Sequence, residues 1–151
     1  MTDIFQLIGR LFTILGGYIA AALAASAMLH VLLLPALGFT PDEVGFILAG
    51  GAMVSIPFVA ILVAYFAFLP FLVVVLVAEF LGARSWLYYA LAGGLAGLAV
   101  DGFAWRSADP AATLATEPRF IAVLVAAGII GGSAYWLVAG RPAIANGRSG
   151  S

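Results

Sequence analysis

Few side chains in this sequence can do chemistry, and they are widely separated. His30, Glu79 and Asp101 are the ionisable residues that fall within or at the ends of long apolar runs. An ionisable group in such a run is a functional candidate by default, because burying it in lipid is costly. His30 is the one histidine and there is no cysteine. Thiol nucleophiles, disulfides, thiolate zinc sites and iron–sulfur clusters are therefore excluded, and so are disulfide-shuttling membrane oxidoreductases. A single imidazole also excludes bis-histidine haem ligation within the chain and every two-histidine metal motif. The run Gly93-Gly94-Leu95-Ala96-Gly97 invites comparison with a phosphate-binding loop, but its spacing is not GxGxxG and no strand precedes it. The residues thus point to no catalytic group, cofactor or metal site.

Each of the three candidates has a plainer role. His30 lies near the end of its run, where Ser26 one turn away, a backbone carbonyl or water can satisfy it. An interfacial role outweighs proton or ligand handling. Glu79 is five residues from Arg84 and Asp101 five from Arg106, so local ion pairs at membrane surfaces are expected. The three sit at different depths, which argues against one shared acid–base site and against an enzyme.

The elements that carry these residues are set by composition. The 151 residues are 65% hydrophobic and 9% charged, with a mean hydropathy of +1.19. Soluble domains carry roughly 25% charged residues, and a chain this short cannot hide so much apolar surface from water. Lipid must be its solvent. The net charge of −1 and the absence of lysine give no footprint for nucleic acid.

Four apolar stretches, about 11–37, 41–81, 85–105 and 119–140, predict an all-α transmembrane bundle as a single domain over 1–140, followed by a disordered polar tail over 141–151. The first resembles a signal peptide around Ala25-Ser26-Ala27. It runs on ten residues further, beyond the roughly 7–15 of a signal core, so an uncleaved helix is expected. The second opens on Thr40-Pro41-Asp42-Glu43, with an N-cap, a proline at the first position and a capping box. Its length overshoots a hydrocarbon core of about 30 Å. With Pro57 and Pro70 inside it, one long kinked helix is expected, or a re-entrant start over 41–55. Trp86, Tyr88, Tyr89, Trp105, Tyr135 and Trp136 near helix ends suggest interfacial aromatic belts. With four crossings, Arg10, Arg84, Arg141 and Arg148 fall on one side, against Arg106 and Arg119. The positive-inside rule then places both termini in the cytoplasm.

Every stretch carries small residues four apart: Gly16/Ala20, Gly17/Ala21, Gly45/Ala49, Gly93/Gly97 and Gly128/Gly132. In lipid such pairs are packing seams, because small residues let helix backbones approach. Packing within the bundle is the first expectation. A seam facing outward, on the third or fourth helix, would serve a homo-oligomer or a larger membrane partner.

The segments FAFLP (66–70), WLYYALAGG (86–94) and YWLVAGR (135–141) resemble an uncharacterised family of small alphaproteobacterial four-helix membrane proteins. The resemblance implies the bundle and a bacterial inner-membrane location, and it adds no catalytic residue. Small multidrug transporters differ in carrying a glutamate within the first helix, and the tryptophan-rich sensory translocators in having five helices. A non-enzymatic membrane subunit or accessory protein is the expected function. A small oligomeric channel or transporter for a neutral or apolar solute is the alternative.

Overall fold

The computed structural model describes residues 2–82, 85–104 and 117–140. Among these residues it is an all-α bundle of four helices, α1 (Thr2–Ala36), α2 (Pro41–Leu81), α3 (Trp86–Ala104) and α4 (Pro118–Tyr135). A π-helical turn, Trp136–Gly140, continues α4. Three segments are long and apolar enough to cross a membrane: Ile4–Ala36, Pro41–Leu81 and Pro118–Gly140. The 19 residues of α3 give about 28 Å of helix, just under a hydrocarbon core of roughly 30 Å.

The second stretch is one continuous helix of 41 residues, about 60 Å long. Pro57 and Pro70 lie inside it, and residues 41–55 belong to it rather than forming a re-entrant piece. Its start is the capping box read from the sequence. Thr40 Oγ1 accepts from the Glu43 amide, while a Glu43 carboxylate oxygen accepts from the Thr40 amide at 2.8 Å. Its end is Gly82 at φ 62°, a left-handed C-cap where a side chain would be strained. α1 begins at Thr2, nine residues before the apolar stretch. No proline or turn signal precedes Leu11, and helix is the cheapest way to satisfy the backbone in or near lipid.

The contacts fix an up-down-up-down order. Ser26 of α1 meets Ile56 of α2 while Tyr18 meets Ala64, so these two helices run antiparallel. Gly131 of α4 lies against Ala21 and Ala25, and Gly17 against Tyr135, which makes α1 and α4 antiparallel. Gly93 against Gly128 and Gly97 against Leu124 do the same for α3 and α4. Of the four adjacent pairs, α3 and α4 pack most closely and α2 and α3 least.

The seams divide accordingly. A Cβ at Gly93 would strike the Gly128 carbonyl, one at Gly128 the Gly93 carbonyl, and one at Gly132 the Tyr89 carbonyl. One at Gly97 would meet the Leu124 carbonyl. Both glycine pairs are consumed by the α3–α4 contact, so neither offers the outward seam considered from the sequence. Gly17 packs on Tyr135 and Ala139, whereas a Cβ at Gly16 or Gly45 would meet nothing within 4 Å. The buried core follows the same logic, being mostly alanine: Ala22, Ala25, Ala60, Ala78, Ala90, Ala92 and Ala127. Large apolar side chains face outward instead, Met53 and Phe80 each at 94% exposure. That is the arrangement lipid permits and water would not.

Gly132→Ala is expected to destabilise the bundle by about 3 kcal/mol, the upper range for overpacking, because backbone oxygen cannot swing aside. Gly16→Ala, with open space around it, should lie within about 0.5 kcal/mol of wild type. Reversible unfolding in mixed detergent micelles measures both.

Candidate functional site

Between the helices lies a chamber of about 240 Å³, partly open to the surface. Ala21, Ala22 and Ala25 line it from α1, Ala92, Gly93 and Ala96 from α3, and Ala127, Gly128 and Gly131 from α4. The fourth wall is α2, which presents larger groups including Leu62, Val63 and Phe66. The chamber exists because three walls are built from residues chosen for close backbone approach, with no side chains long enough to fill the space they enclose. No charged side chain lines it.

One end is closed by rings from all four helices. Tyr18 of α1 stacks on Phe71 of α2 at 4.3 Å between centroids, and Phe71 meets Tyr135 of α4 edge-on at 5.3 Å. Tyr135 in turn lies 5.2 Å from Tyr89 of α3. Tyr135 is buried. The sequence reading placed Tyr88, Tyr89 and Tyr135 in lipid–water belts. The structure sets them between helices: Tyr135 packs on Gly17, which has no side chain to displace it, and Tyr89 packs on Tyr135. The Tyr88 hydroxyl donates to the Val74 carbonyl at 3.0 Å and so ties α3 to α2.

α2 is held to α1 by polar links as well as by packing. Ser26, the one fully buried side chain among the described residues, donates from Oγ to the Ile56 carbonyl at 2.7 Å. The Tyr18 hydroxyl donates to the Ala64 carbonyl, and Arg10 forms an ion pair with Glu79. Ser26 and Tyr18 look like ordinary members of an apolar run in the sequence. Their only signal was a hydroxyl at helical spacing, eight residues apart on one face.

The three ionisable candidates do not come together. Glu79 pairs with Arg10 across the α1–α2 contact; Arg84, its expected partner, lies outside the described residues. His30 is twenty residues along α1 from Arg10, about 30 Å away at 1.5 Å per residue. Its Nδ1 lies 2.8 Å from the Ser26 carbonyl oxygen, which can only accept, so Nδ1 is the donor. Asp101 is one turn beyond Gly97 and, by the α3–α4 and α1–α4 registers, lies toward the same end as His30. No hydrogen bond joins the two among the described residues. Asp101 Oδ1 is buried and without a partner among the described residues. Arg106, its expected partner, lies outside them. Nor do three or more histidine or carboxylate groups converge anywhere among the described residues.

Compared with protein-family models, curated proteins and solved structures, the chain matches none. The chamber and its walls therefore carry the functional reading.

Ser26→Ala should cost about 1 kcal/mol, in the range measured for polar contacts between membrane helices, and Tyr18→Phe a similar amount. His30→Ala, which loses a bond only to its own helix, should cost less than about 0.5 kcal/mol. Detergent unfolding of the three variants tests the ranking, and a His30→Ala loss above that of Ser26→Ala would overturn it.

Proposed function

We propose that this chain is a non-enzymatic integral membrane protein that takes an apolar solute into the chamber between its helices, as a carrier or receptor. The observation that supports this most directly is the chamber itself: apolar on every wall, free of charge, and closed at one end by tyrosine and phenylalanine rings. Apolar pockets of this kind stay dry and admit apolar guests; an engineered cavity of roughly 150 Å³ suffices for benzene or xenon. The loosely packed fourth wall, α2, supplies a route for exchange with the bilayer. Glu79 lies toward one end and His30 and Asp101 toward the other, with no hydrogen bond joining the latter two among the described residues, which favours binding over catalysis.

A second reading, an accessory subunit of a larger membrane protein or homo-oligomer, draws on different residues. Gly16 and Gly45 are open to neighbours, and of the 41 residues of α2 only Ala60 and Ala78 are buried. Leucine at Gly45 would disrupt such an assembly, seen as a shift in detergent-gel mobility, without touching the chamber.

We further infer that both termini face the cytoplasm, on the arginine asymmetry of the sequence, and a bacterial inner-membrane location, on the resemblance of 66–70, 86–94 and 135–141 alone. Reporter fusions to the 141–151 tail and within 106–117 should then give opposite signals; equal signals would refute the orientation.

Xenon NMR tests the chamber. The purified protein should give a saturable resonance distinct from xenon in detergent, and Ala96→Phe, which projects a ring into the chamber, should abolish it. A resonance unchanged by Ala96→Phe, or none at all in wild type, would sink the apolar-solute reading.

A further inference from the structure

The four helices differ in apolar length, and the surplus lies at one end of the bundle. α3 has 19 residues and the apolar span Pro118–Gly140 has 23, giving about 28 and 34 Å of helix. The span Ile4–Ala36 of α1 has 33 residues and α2 has 41, giving about 50 and 60 Å. Ala139 lies against Gly17, so residues 4–13 of α1 run on past the last described residue of the α4 span. The last turns of α2 run alongside them, since Glu79 pairs with Arg10. Every residue from Ile4 to Phe12 is exposed, and so are Val73, Leu76 and Phe80 of α2.

These outreaching ends are apolar. Over 4–13 and 69–81 the only charged side chains are Arg10 and Glu79, and each neutralises the other. Between exposed groups in water such a pair adds little. In an apolar phase, pairing is what allows both side chains to stay. Ile4, Phe5, Ile8, Leu11 and Phe12 share one side of α1 at helical spacing, and proteins in water rarely leave a contiguous apolar surface of this kind open. That surface is continuous with the one the bundle turns to lipid. Leu15 and Ile19 carry it along α1, and Leu69 and Ile61 along α2, all of them exposed.

No single tilt fits both sides of the bundle into a slab of uniform thickness. Membrane helices tilt by up to about 40°, at which the α1 span still covers about 38 Å and α2 about 46 Å, against a hydrocarbon core of roughly 30 Å. The same tilt would shorten α3 to about 21 Å. We propose that acyl chains clothe the outreaching ends of α1 and α2, so that the bilayer is thicker along that side of the bundle than along α3 and α4. The partner is a phospholipid with longer chains than those beside α3. The protein therefore favours thick membrane, or the border between a thick region and a thin one.

The chain has no cysteine, so single reporters can be placed in it. Ile8→Cys on α1, Leu76→Cys on α2 and Leu95→Cys on α3 replace exposed side chains and are labelled with bimane. Each variant, as the whole chain, is reconstituted in vesicles containing a brominated-chain phosphatidylcholine. Dimyristoleoyl or dierucoyl phosphatidylcholine, short and long respectively, then competes for the protein surface. Brominated chains should quench all three labels, and aqueous iodide none. The long lipid should displace the brominated one about fivefold better than the short lipid at Ile8→Cys and Leu76→Cys, and about equally well at Leu95→Cys. Adding Phe5→Ser and Phe12→Ser to Leu76→Cys should bring the ratio at that label back to about one. Iodide quenching at Ile8→Cys and Leu76→Cys would put both ends in water and overturn the proposal. So would labels there that neither quencher reaches, since a second copy or another protein would then cover them. Equal displacement by the two lipids at all three labels would overturn it as well. None of these outcomes bears on xenon in the chamber, so the two readings stand or fall separately.

Discussion

Everything in this bundle depends on how closely the backbones of α3 and α4 approach. At Gly93, Gly128 and Gly132 there is no room for even a methyl group, since the carbonyls of the facing helix occupy the place where it would go. Lipid tails are as apolar as leucine, so helices in a bilayer gain little from hiding large apolar side chains. They gain from contact area between backbones, which only small residues permit. α4 extends the same principle to α1 through Gly131 and Ala25. The result is a three-helix wedge held by close contact, with α2 laid against it.

The chamber is a by-product of that solution. Small residues bring helices close where two of them meet, but at the centre of four they leave space that no side chain reaches. Soluble cores avoid such voids because each one forfeits dispersion contacts. Here the void persists along three turns of every helix that lines it, and ring stacking by Tyr18, Phe71, Tyr135 and Tyr89 closes one end. The aromatic residues do in the interior what bulky aliphatics would do in a water-soluble protein.

Much of this was legible in the sequence, and the remainder was not for definite reasons. The helical class follows from hydropathy alone. The start of α2 follows from Thr40, Pro41 and Glu43, because capping is local chemistry. The seam at Gly93/Gly97 and Gly128/Gly132 could be found by spacing, but its direction could not. Four-residue spacing names a helix face without naming its partner. Tyr89 and Tyr135 were misplaced because interfacial belts and interior rings share one composition and one position near helix ends. Glu79 pairs with Arg10, sixty-nine residues away, and nothing in the sequence pointed to that contact. Long-range pairing leaves no periodic trace. The chamber had no signal at all, being defined by what the lining residues lack.

The polar links between α1 and α2 bear on how the protein is made. Ser26 to Ile56, Tyr18 to Ala64 and Arg10 to Glu79 all join α1 to α2, which leave the ribosome before α3 and α4. Not one of them requires α3 or α4. The N-terminal hairpin can thus satisfy its buried hydroxyls while the rest of the chain is still being synthesised. The C-terminal hairpin carries its own fastening in the glycine seam. Insertion becomes the joining of two self-sufficient halves, the second docking through α4 onto a face of α1 that the first leaves bare.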